Sequence, residues 1–575
     1  MTSVGGSLAA PRWWQGAVFY QIYPRSFADG NGDGVGDFAG MIERLDYLSS
    51  LGVDAVWLSP HYPSPLRDVG YDIADYVGVH PEYGTLDDFL TFLNGAHERG
   101  IRVVIDLVLN HTSNEHPWFA ESRATRDGPK RDWYLWRDGR AGGPPNNWVS
   151  QFGGPAWTLD ERTEQYYYHS FLSDQPDLNW RLFEVREAMW RAIRFWLELG
   201  VDGFRLDAIG NLFKAAELTD HGSSASIADL RRAWVTTTSD GERAALTQEL
   251  AELFRYQVDL PEVHDLMREL RTLVDAYPGR VLIGETDQVA FYGSGTDELD
   301  LVFNFPLMRT DHITPSWVRR NQDARWAVMP PGTWPANTLG NHDESRVRSR
   351  FGRDGDDIAT SRLCAGLVLT LPGTPFLYNG EEIGMTDLLL DDVGFFRDNW
   401  AVWFHRAAID ELGMTQADAL ALSARFGRDK NRTPMQWANS ANAGFSSGEK
   451  PWLPVHPNHS SGVNVADQER DRHSLLRFYR RLLRIRRRTP ALRHGDCTML
   501  HEESDEYLAF LRSSALDRQT CLVVLNMSAH ARGLRFDLPT DGLYTLFSSE
   551  PRSHAIDEPL DLRIGPYEIY VAELE

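Results

Sequence analysis

Short apolar runs typical of strands alternate with amphipathic runs typical of helices along most of this 575-residue chain. Strand and helix that alternate at this spacing predict a parallel sheet, and eight such units close into a (β/α)8 barrel. The predicted strands are 18–23, 53–58, 102–109, 201–207, 281–285, 301–305, a run that ends at 340, and 375–378. We therefore predict an α/β chain of the TIM-barrel class.

The fourth of these runs, 201–208 (VDGFRLDA), carries two charges inside an apolar strand. Phe204 and Leu206 alternate with Arg205 and Asp207, so both charges leave the strand on the same side. In a parallel strand covered by helices, that side faces the interior of the sheet. A buried charge needs a partner, so the two residues either form only an ion pair or serve chemistry at the strand's carboxyl end.

Two interruptions and a change of pattern indicate further units beside the barrel. The barrel is predicted from 1–111 and 180–490, with an excursion at 385–437 after strand eight. The stretch 112–179 is too long for a structureless loop and predicts a subdomain, here called subdomain B, inserted after strand three. Beyond Pro490, short alternating strands predict an all-β domain of sandwich type over 491–575.

Bulk composition limits the partners and the compartment. A net charge of −24 argues against nucleic acids and anionic membranes. The start has no apolar signal segment, and no run approaches a membrane span. The three cysteines lie far apart and lack metal-ligand spacing. We expect a cytoplasmic protein with no nucleic-acid or membrane partner, and the choice between monomer and homo-oligomer stays open.

The loop after the first strand resembles a calcium-binding loop in its composition. Oxygen ligands alternate with glycines from 29 to 37 (DGNGDGVGD), as hard cations require. The terminal glutamate of an EF-hand is missing, so the loop is not that motif. We expect a structural Ca²⁺ here, against the plainer possibility of a Gly/Asp turn.

Carboxylates and histidines cluster at the predicted carboxyl ends of four strands. Asp106 to His111, Asp207, Glu285, and His342 with Asp343 occupy these ends. Such strand ends meet at one pocket mouth in a barrel. A network of ion pairs is the alternative, but one arginine and two histidines cannot neutralise so many carboxylates without perturbing one of them.

Several segments now identify a family. Those that match its signature regions are DLVLNH (106–111), QPDLN (175–179), GFRLDA (203–208), GET (284–286) and GNHDE (340–344). In order and spacing they resemble the retaining α-amylase superfamily of glycoside hydrolases, glycoside hydrolase family 13. The likeness covers nearly the whole chain. QIYPRSF (21–27), GYDIADY (70–76) and NRTPMQW (431–437) are similar to its branch of exo-acting α-glucosidases and oligo-1,6-glucosidases, which use small sugars.

The resemblance assigns the catalytic roles. It implies that Asp207 is the nucleophile, Glu285 the acid/base and Asp343 the carboxylate that grips sugar hydroxyls. Retaining hydrolysis needs a nucleophilic carboxylate and a second carboxyl group that donates and then removes a proton. We expect Asp207 to stay ionised beside Arg205, and Glu285 to be held partly protonated by a less polar setting.

The resemblance also implies the substrate-binding and metal-binding residues. It implies that Asp72 and Arg432 pair across the rim and close the pocket behind the non-reducing glucose. The substrate-binding set is Asp72, His111, Phe152, Phe171, Arg205, His342 and Arg432, with Asp106 and Asn110 bracing the pocket. The metal ligands are Asp29, Asn31, Asp33, the Val35 carbonyl and Asp37. No organic cofactor is implied.

The resulting prediction is an exo-acting retaining α-glucosidase that acts on small α-glucosides, with possible transglucosylation. Ala208 stands where the α-1,6-specific enzymes resemble one another in having valine, which favours α-1,4 or broad linkage use. The stretch 212–257 is longer than a simple glucosidase needs and leaves acceptor specificity open. The alternatives are a trehalose synthase-like isomerase or sucrose-active glucosyltransferase, and a non-catalytic binding protein of the same fold.

Overall fold

The computed structural model describes residues 11–237, 239–352, 357–540, 542–552 and 556–575. The prediction made from the first ten residues, that they form no signal segment, lies outside this part of the chain. In the described part, no helix combines the length and apolar character needed to cross a membrane.

Eight parallel strands form the central sheet. They are Phe19–Ile22, Ala55–Leu58, Arg102–Val108, Gly203–Asp207, Val281–Gly284, Leu301–Val302, Ala336–Thr338 and Thr374–Tyr378. The sheet runs in the order seven, eight, one, two, three, four, five, six. Within the described residues no ladder joins strand six to strand seven, so the barrel is nearly closed, with one seam between these two strands.

Amphipathic helices cover the outside of the sheet. They include Phe38–Glu43, Leu45–Leu51, Leu86–Glu98, Phe183–Leu199, Glu262–Asp275, Pro315–Trp326, Asp357–Thr370 and Leu475–Arg488. The helix before strand four buries one face, including Met189, Ile193 and Trp196, and ends at Gly200 in a left-handed conformation with φ of 108°. The first two of these helices, Phe38–Glu43 and Leu45–Leu51, are divided at Arg44, which has a non-helical ψ of 5°.

Strand four divides its side chains as the alternation predicts. Phe204 and Leu206 belong to the apolar layer between sheet and helices. Arg205 and Asp207 point inward, where Arg205 is 1% exposed. A separate apolar cluster fills the barrel interior and includes Phe19, Trp57, Val104, Ile283, Leu301, Phe303 and Phe376. The carboxyl ends of the strands therefore stand above a packed base.

Three additions surround the carboxyl ends of the strands. Subdomain B contains a three-stranded antiparallel sheet built from Trp136–Arg137, Trp157–Asp160 and Gln165–Tyr168. The stretch after strand four forms helices Ile227–Thr236 and Asp240–Phe254. The excursion after strand eight contributes Asn399–Asp410 and Gln416–Phe426. One apolar cluster, in which Val149 and Trp403 pack on Ile227, Leu230, Leu253 and Phe254, joins all three.

The C-terminal region is antiparallel. Its main sheet holds Asp496–Leu500, Tyr507–Ser514, Gln519–Asn526, Ile569–Leu574, Leu543–Ser548 and Ile556–Asp557 in that spatial order. A two-stranded ladder of Arg532–Leu534 and Leu562–Ile564 packs against it through a shared apolar cluster. Arg512 is fully buried in this region and donates to the Thr370 carbonyl at the end of a barrel helix, which ties the two units together.

Candidate active site

A cavity of about 590 Å³ opens at the carboxyl ends of the strands. Among the predicted residues, it brings together His111, Phe152, Phe171, Asp207, Glu285, His342 and Asp343. Strands four, five and seven lead directly into Asp207, Glu285 and Asp343, respectively, as the parallel topology requires.

Arg205 binds three carboxylates inside the barrel. One terminal nitrogen, Nη1, lies 2.8 Å from Asp106 Oδ1 and 2.6 Å from Asp207 Oδ1. The other, Nη2, lies 2.8 Å from Glu285 Oε1. The second oxygen of Glu285 accepts from the Ala208 amide at 2.9 Å. Asp207 and Glu285 therefore sit at the two ends of one planar fork, a geometry that fixes both carboxyl groups.

One guanidinium does not neutralise three carboxylates, and the pKa values respond. Burial raises the pKa of Asp207 well above its usual range, and the charge on Glu285 raises it further against the pull of Arg205. Burial likewise raises the pKa of Asp106 to about 6. Arg205 is shared among three carboxylates, so its charge does not offset the burial of Asp207, and the ionised state expected for Asp207 beside Arg205 stays a prediction.

Asp343 lies in a positive environment instead. Burial raises its pKa, but His342, Arg428 and Arg432 outweigh burial and hold the pKa well below its usual range. Arg432 Nη2 lies 2.7 Å and Arg428 Nη1 3.4 Å from Asp343 Oδ1. The two arginines dominate, because burial lowers the pKa of His342 itself and leaves the imidazole neutral. Asp343 therefore remains charged at neutral pH.

The two predicted histidines are held by hydrogen bonds. His342 Nδ1 lies 2.8 Å from Gln21 Nε2, and His342 Nε2 lies 2.6 Å from the Tyr71 hydroxyl. His111 Nε2 lies 3.0 Å from Gln175 Nε2. Burial lowers the pKa of His111 to about 4, so both rings are neutral near pH 7 and suited to hydrogen-bond sugar hydroxyls.

The predicted bracing residues occupy the positions behind the cavity. The second oxygen of Asp106 accepts from Trp57 Nε1 and from the Tyr71 hydroxyl, each at 3.2 Å. Asn110 accepts from the Lys214 ammonium at 3.0 Å. Lys214 also pairs with the buried Asp177. These contacts fix the ends of strands three and four.

The predicted pairing of Asp72 with Arg432 is wrong. Asp72 is fully buried, and its carboxylate accepts from the Ser64 hydroxyl at 2.9 Å and from the amides of Arg67 and Asp68 at 2.8 and 3.0 Å. Asp72 therefore stabilises the loop that precedes it. Arg432 contacts Asp343 and also donates through Nε to the His342 carbonyl at 2.9 Å. Its role is to orient Asp343 and strand seven.

The charged pair in the cavity is formed by residues four positions earlier on the same two loops. Arg428 Nη2 lies 3.0 Å from Asp68 Oδ1 and 2.8 Å from Asp398 Oδ1. Both Asp68 and Arg428 line the cavity. Asp68 is also tied to subdomain B through Gln175 Nε2 at 3.0 Å. In the sequence, Asp68 and Arg428 each belong to an Arg–Asp dipeptide that lies a few positions before the residue chosen from the sequence. Loops have no periodicity, so the sequence does not show which of the nearby charged residues faces the cavity.

Aromatic rings flank this pair. Phe152 packs edge-on to Phe171 with centroids 5.3 Å apart, and Phe171 packs edge-on to His111 at the same separation. Phe152 stacks on Trp400 at 5.3 Å, and the Arg428 guanidinium lies 5.1 Å from the Phe152 centroid. Trp400 belongs to the excursion after strand eight and was not singled out from the sequence.

The glycine-rich loop at 29–37 turns its predicted ligands onto its own backbone. Asp29 accepts from the amides of Gly32 and Gly34 at 2.6 and 2.8 Å. Asp37 caps the following helix by accepting from Gly40 at 2.7 Å. Among the described residues, no three acidic, histidine or cysteine side chains converge as a metal site would require. The loop carries oxygen atoms suited to bind calcium, but in this structure the carboxylates accept hydrogen bonds from backbone amides.

The fold and the carboxylate arrangement define a barrel glycoside hydrolase. The family model of the α-amylase catalytic domain matches residues 21–495. The oligo-1,6-glucosidase of Parageobacillus thermoglucosidasius is 37% identical, and the alignment covers 98% of this chain and 99% of that protein. An α-glucosidase of Pediococcus pentosaceus is 36% identical over 98% of this chain and 100% of its own.

A solved structure has the same fold. The trehalulose synthase of Pseudomonas mesoacidophila MX-45 superposes with a TM-score of 0.86 at 37% identity, over 99% of this chain and 100% of its own. The chain belongs to the α-amylase family of glycoside hydrolases, in the branch that holds α-glucosidases and oligo-1,6-glucosidases.

Proposed function

We propose that this enzyme is an exo-acting retaining α-glucosidase of small α-glucosides, with α-1,4 or broad linkage use. The observation that carries the proposal is the pair of Asp207 and Glu285 held on one arginine, in a cavity that is also lined by the ion pair of Asp68 and Arg428. Relatives named α-glucosidase and oligo-1,6-glucosidase support it.

The proposed reaction runs in two displacements. Asp207 attacks the anomeric carbon while Glu285 gives its proton to the leaving oxygen, and a glucosyl-enzyme ester forms. Water or another hydroxyl then attacks that carbon, returns its proton to Glu285 and releases Asp207. A short spacing of the two carboxyl groups, ~5–5.5 Å, belongs to this retaining route. Their attachment to the two terminal nitrogens of Arg205 favours that spacing.

The pair of Asp68 and Arg428 supports exo action. A buried ion pair that lines the cavity would block a further sugar if it lies beyond the non-reducing glucose, as the proposal requires, and its remaining hydrogen-bond capacity suits a terminal hydroxyl. Asp343, held charged by two arginines, suits the neighbouring ring hydroxyls. The substrate would therefore enter with its non-reducing glucose first.

Product analysis with maltoheptaose tests this proposal. Glucose and a chain one unit shorter should be the earliest products, whereas an early spread of mid-length fragments would contradict exo action. Asp68→Asn should lower kcat/KM for maltose by roughly 100-fold or more, because near-attack geometry is lost. Asp72→Asn is the matched control on the same loop and should act mainly on the melting temperature, through the loss of a buried hydrogen-bond acceptor.

A sucrose-active isomerase or transferase is the second candidate. The trehalulose synthase structure, and an α-glucosyl transfer enzyme that superposes with a TM-score of 0.83 at 37% identity, favour it. Both chemistries use the same glucosyl-enzyme and differ in which hydroxyl attacks it. Incubation with sucrose and with maltose, followed by chromatography, distinguishes glucose release from formation of an isomeric disaccharide.

We also propose that the 29–37 loop binds one structural Ca²⁺ through Asp29, Asn31, Asp33, Asp37 and the Val35 carbonyl. The density of oxygen donors on nine residues supports this. Ion binding would require the carboxylates to turn from the amides that they now accept from. Chelation should then lower the melting temperature more than it lowers kcat, and metal analysis of enzyme kept in calcium buffer should find one ion per chain. An empty loop would contradict the proposal.

For the compartment, we propose the cytoplasm. Support comes from the three cysteines, Cys364, Cys497 and Cys521, all of which are buried free thiols in the structure. Fractionation of the source cells with an antibody against the enzyme tests this, and recovery from the medium would contradict it.

A further inference from the structure

The catalytic cavity continues beyond the glucose site into a second group of residues, here called the outer wall. The two helices inserted after strand four and the segments after strands six, seven and eight supply it. Its members are Arg231, Trp234, Arg243, Thr247, Leu250, Arg309, Asp311, Glu344, Ser345, Ser349, Arg350 and Asp387. Whatever carries the leaving oxygen, or attacks the glucosyl-enzyme, meets this wall.

Most arginines that line the cavity have their charge or their donors occupied. Arg428 pairs with Asp68 and Asp398, Arg243 with Asp311, and Arg309 with Glu344. Arg350 donates to the carbonyls of Met308 and Leu339. Such contacts explain why these cations are tolerated in a partly enclosed site.

Arg231 has fewer partners than any of these arginines. Within the described part of the chain it forms no ion pair, as is also true of Arg350, but it donates one hydrogen bond, from Nη2 to the Gln151 carbonyl at 3.2 Å, whereas Arg350 donates two. The Nε atoms of both are buried and lack an acceptor there. The guanidinium of Arg231 lies 5.1 Å from the Trp400 centroid, and the same ring lies 5.7 Å from Arg428. A single indole thus separates Arg231 from the arginine at the glucose end.

Among the described residues, no carboxylate pairs with Arg231. Burial lowers its pKa to about 10, and the charge of Arg309 acts in the same direction. An aromatic face attracts a cation but does not replace an anion. One of the five N–H donors of the fork serves Gln151 and Nε is buried, so the N–H groups left on the terminal nitrogens are those that can bind oxygen atoms presented from the cavity.

We propose that Arg231 makes the outer wall a site for an anionic group, a carboxylate or a phosphate, on the leaving group or acceptor. The inference rests on the proposed glucosyl-enzyme and names a substrate class for it: α-glucosides of small hydroxy acids or of phosphate esters. The planar fork of arginine matches both kinds of oxyanion. The transfer step balances without another reactant, because the acceptor oxygen bonds to the anomeric carbon, the bond to Asp207 breaks and the acceptor proton passes to Glu285.

Competition between acceptors for one glucosyl-enzyme tests the proposal. p-Nitrophenyl α-glucoside supplies the glucosyl group, and glycerol, D-glycerate and glycerol 3-phosphate compete at equal concentration. Because donor and intermediate are common, the ratio of products reports the acceptor site alone. We expect at least one anionic product to exceed the glycerol product by about tenfold or more. The two anions distinguish a hydroxy acid from a phosphate ester as the preferred acceptor.

Three variants separate charge from structure. Arg231→Gln should bring the anion-to-glycerol ratio close to one, while Arg231→Lys should retain part of the preference. Arg232→Gln, on the exposed side of the same helix, should leave the ratio and the hydrolysis rate unchanged. A wild-type ratio near one, or the same preference in wild type and Arg231→Gln, would overturn the proposal.

A binding measurement separates this proposal from the proposed function. If p-nitrophenyl α-glucoside is not cleaved, the glucosidase proposal fails, and calorimetric titration of glycerol 3-phosphate and D-glycerate still tests the anion site. Binding of at least one of them by wild type, weakened about tenfold in Arg231→Gln and by added salt, supports it. Equal binding by the two proteins, or no binding by either, overturns it.

Discussion

At the scale of single residues, Asp207 and Glu285 should fail in different ways when neutralised. Asp207→Asn removes the atom that bonds to the anomeric carbon, so we expect turnover to be nearly abolished on every α-glucoside. Glu285→Gln removes the proton donor, which should lower the rate on maltose by roughly 10²–10⁴-fold. Aryl glucosides, whose leaving groups need little protonation, should be affected far less. Initial rates on both substrates check this, and equal losses would contradict the role of Glu285.

The pH dependence of kcat/KM follows from the shared arginine. The nucleophile must be ionised, and burial, then the charge of Glu285, raises the pKa of Asp207. Activity should therefore be lost, as pH falls, at a value above the ordinary aspartate pKa of ~3.9. Glu285→Gln removes the second cause, so its residual activity on an aryl glucoside should persist to lower pH. An acid limb that stays in place in this variant would show that the two groups are not coupled.

The sequence predicted the positions of Asp207, Glu285 and Asp343 more reliably than the residues of the pocket wall. Asp207 ends strand four, Glu285 follows strand five and Asp343 lies in the segment after strand seven, so the topology alone brings them to one mouth. Asp68 and Arg428 lie in irregular loops, where side-chain direction follows no period and one Arg–Asp pair looks like the next. The distinction between Asp68 and Asp72 depends on which carboxylate the loop amides consume, and only the folded backbone decides that.

At the scale of elements, the junction of strands four and five depends on Gly203. Gly203 has a φ of 153°, which residues with a side chain rarely adopt. A Cβ on this residue would overlap the Val281 carbonyl oxygen, so only hydrogen fits there. Gly203→Ala should lower the free energy of unfolding by more than about 3 kcal/mol and reduce activity with it, since the two strands carry Asp207 and Glu285. Denaturant unfolding measures this.

Gly100→Ala is the matched control for that change. Gly100 also has a positive φ, 72°, but no atom lies within 4 Å of the position of its Cβ. The expected loss is therefore backbone strain alone, about 1 kcal/mol. Equal losses in the two variants would show that strain, and not contact between the strands, explains the effect of Gly203→Ala.

The order of the elements could be predicted, and their ends less well. The predicted strand 301–305 is Leu301–Val302 in the structure, because Asn304 accepts from the Leu307 amide and starts a helix that holds Pro306 in its first turn. A local cap thus overrides an apolar run. The 212–257 stretch was recognised as helix-prone, but its position over the cavity depends on distant contacts with subdomain B and the excursion after strand eight.

At the scale of the whole molecule, buried carboxyl groups and buried histidines change stability in opposite directions between mildly acidic and neutral pH. Burial raises the pKa of Glu381 to about 7 and that of Asp72 and Asp106 to about 6. Their unfolded values lie near ~4, so these groups bind more protons in the folded state and their contribution to stability falls as pH rises. Burial lowers the pKa of His111 to about 4, below an unfolded value of ~6.5, so its contribution rises over the same interval.

Glu381→Gln isolates the contribution of one carboxyl group. Between pH 5 and 7.5 the melting temperature of the variant should rise relative to that of wild type, because the neutral amide cannot ionise. Glu98→Gln, at an exposed helix end, should leave the change in melting temperature with pH as it is in wild type. The same change in Glu381→Gln as in wild type would mean that this carboxyl group does not ionise over the interval.

A sugar bound in the cavity would stabilise the barrel across the seam between strands six and seven. Strand five, before the seam, leads to Glu285, and strand seven, beyond it, leads to His342 and Asp343. A glucose held from both sides would link the two strand ends across this seam, where no backbone ladder forms among the described residues. Amide hydrogen exchange in Leu301–Val302 and Ala336–Thr338 should be faster than in strands one to three, and glucose should slow it most there. Equal protection of all eight strands would contradict this, because it would show that the seam opens no more readily than the rest of the barrel.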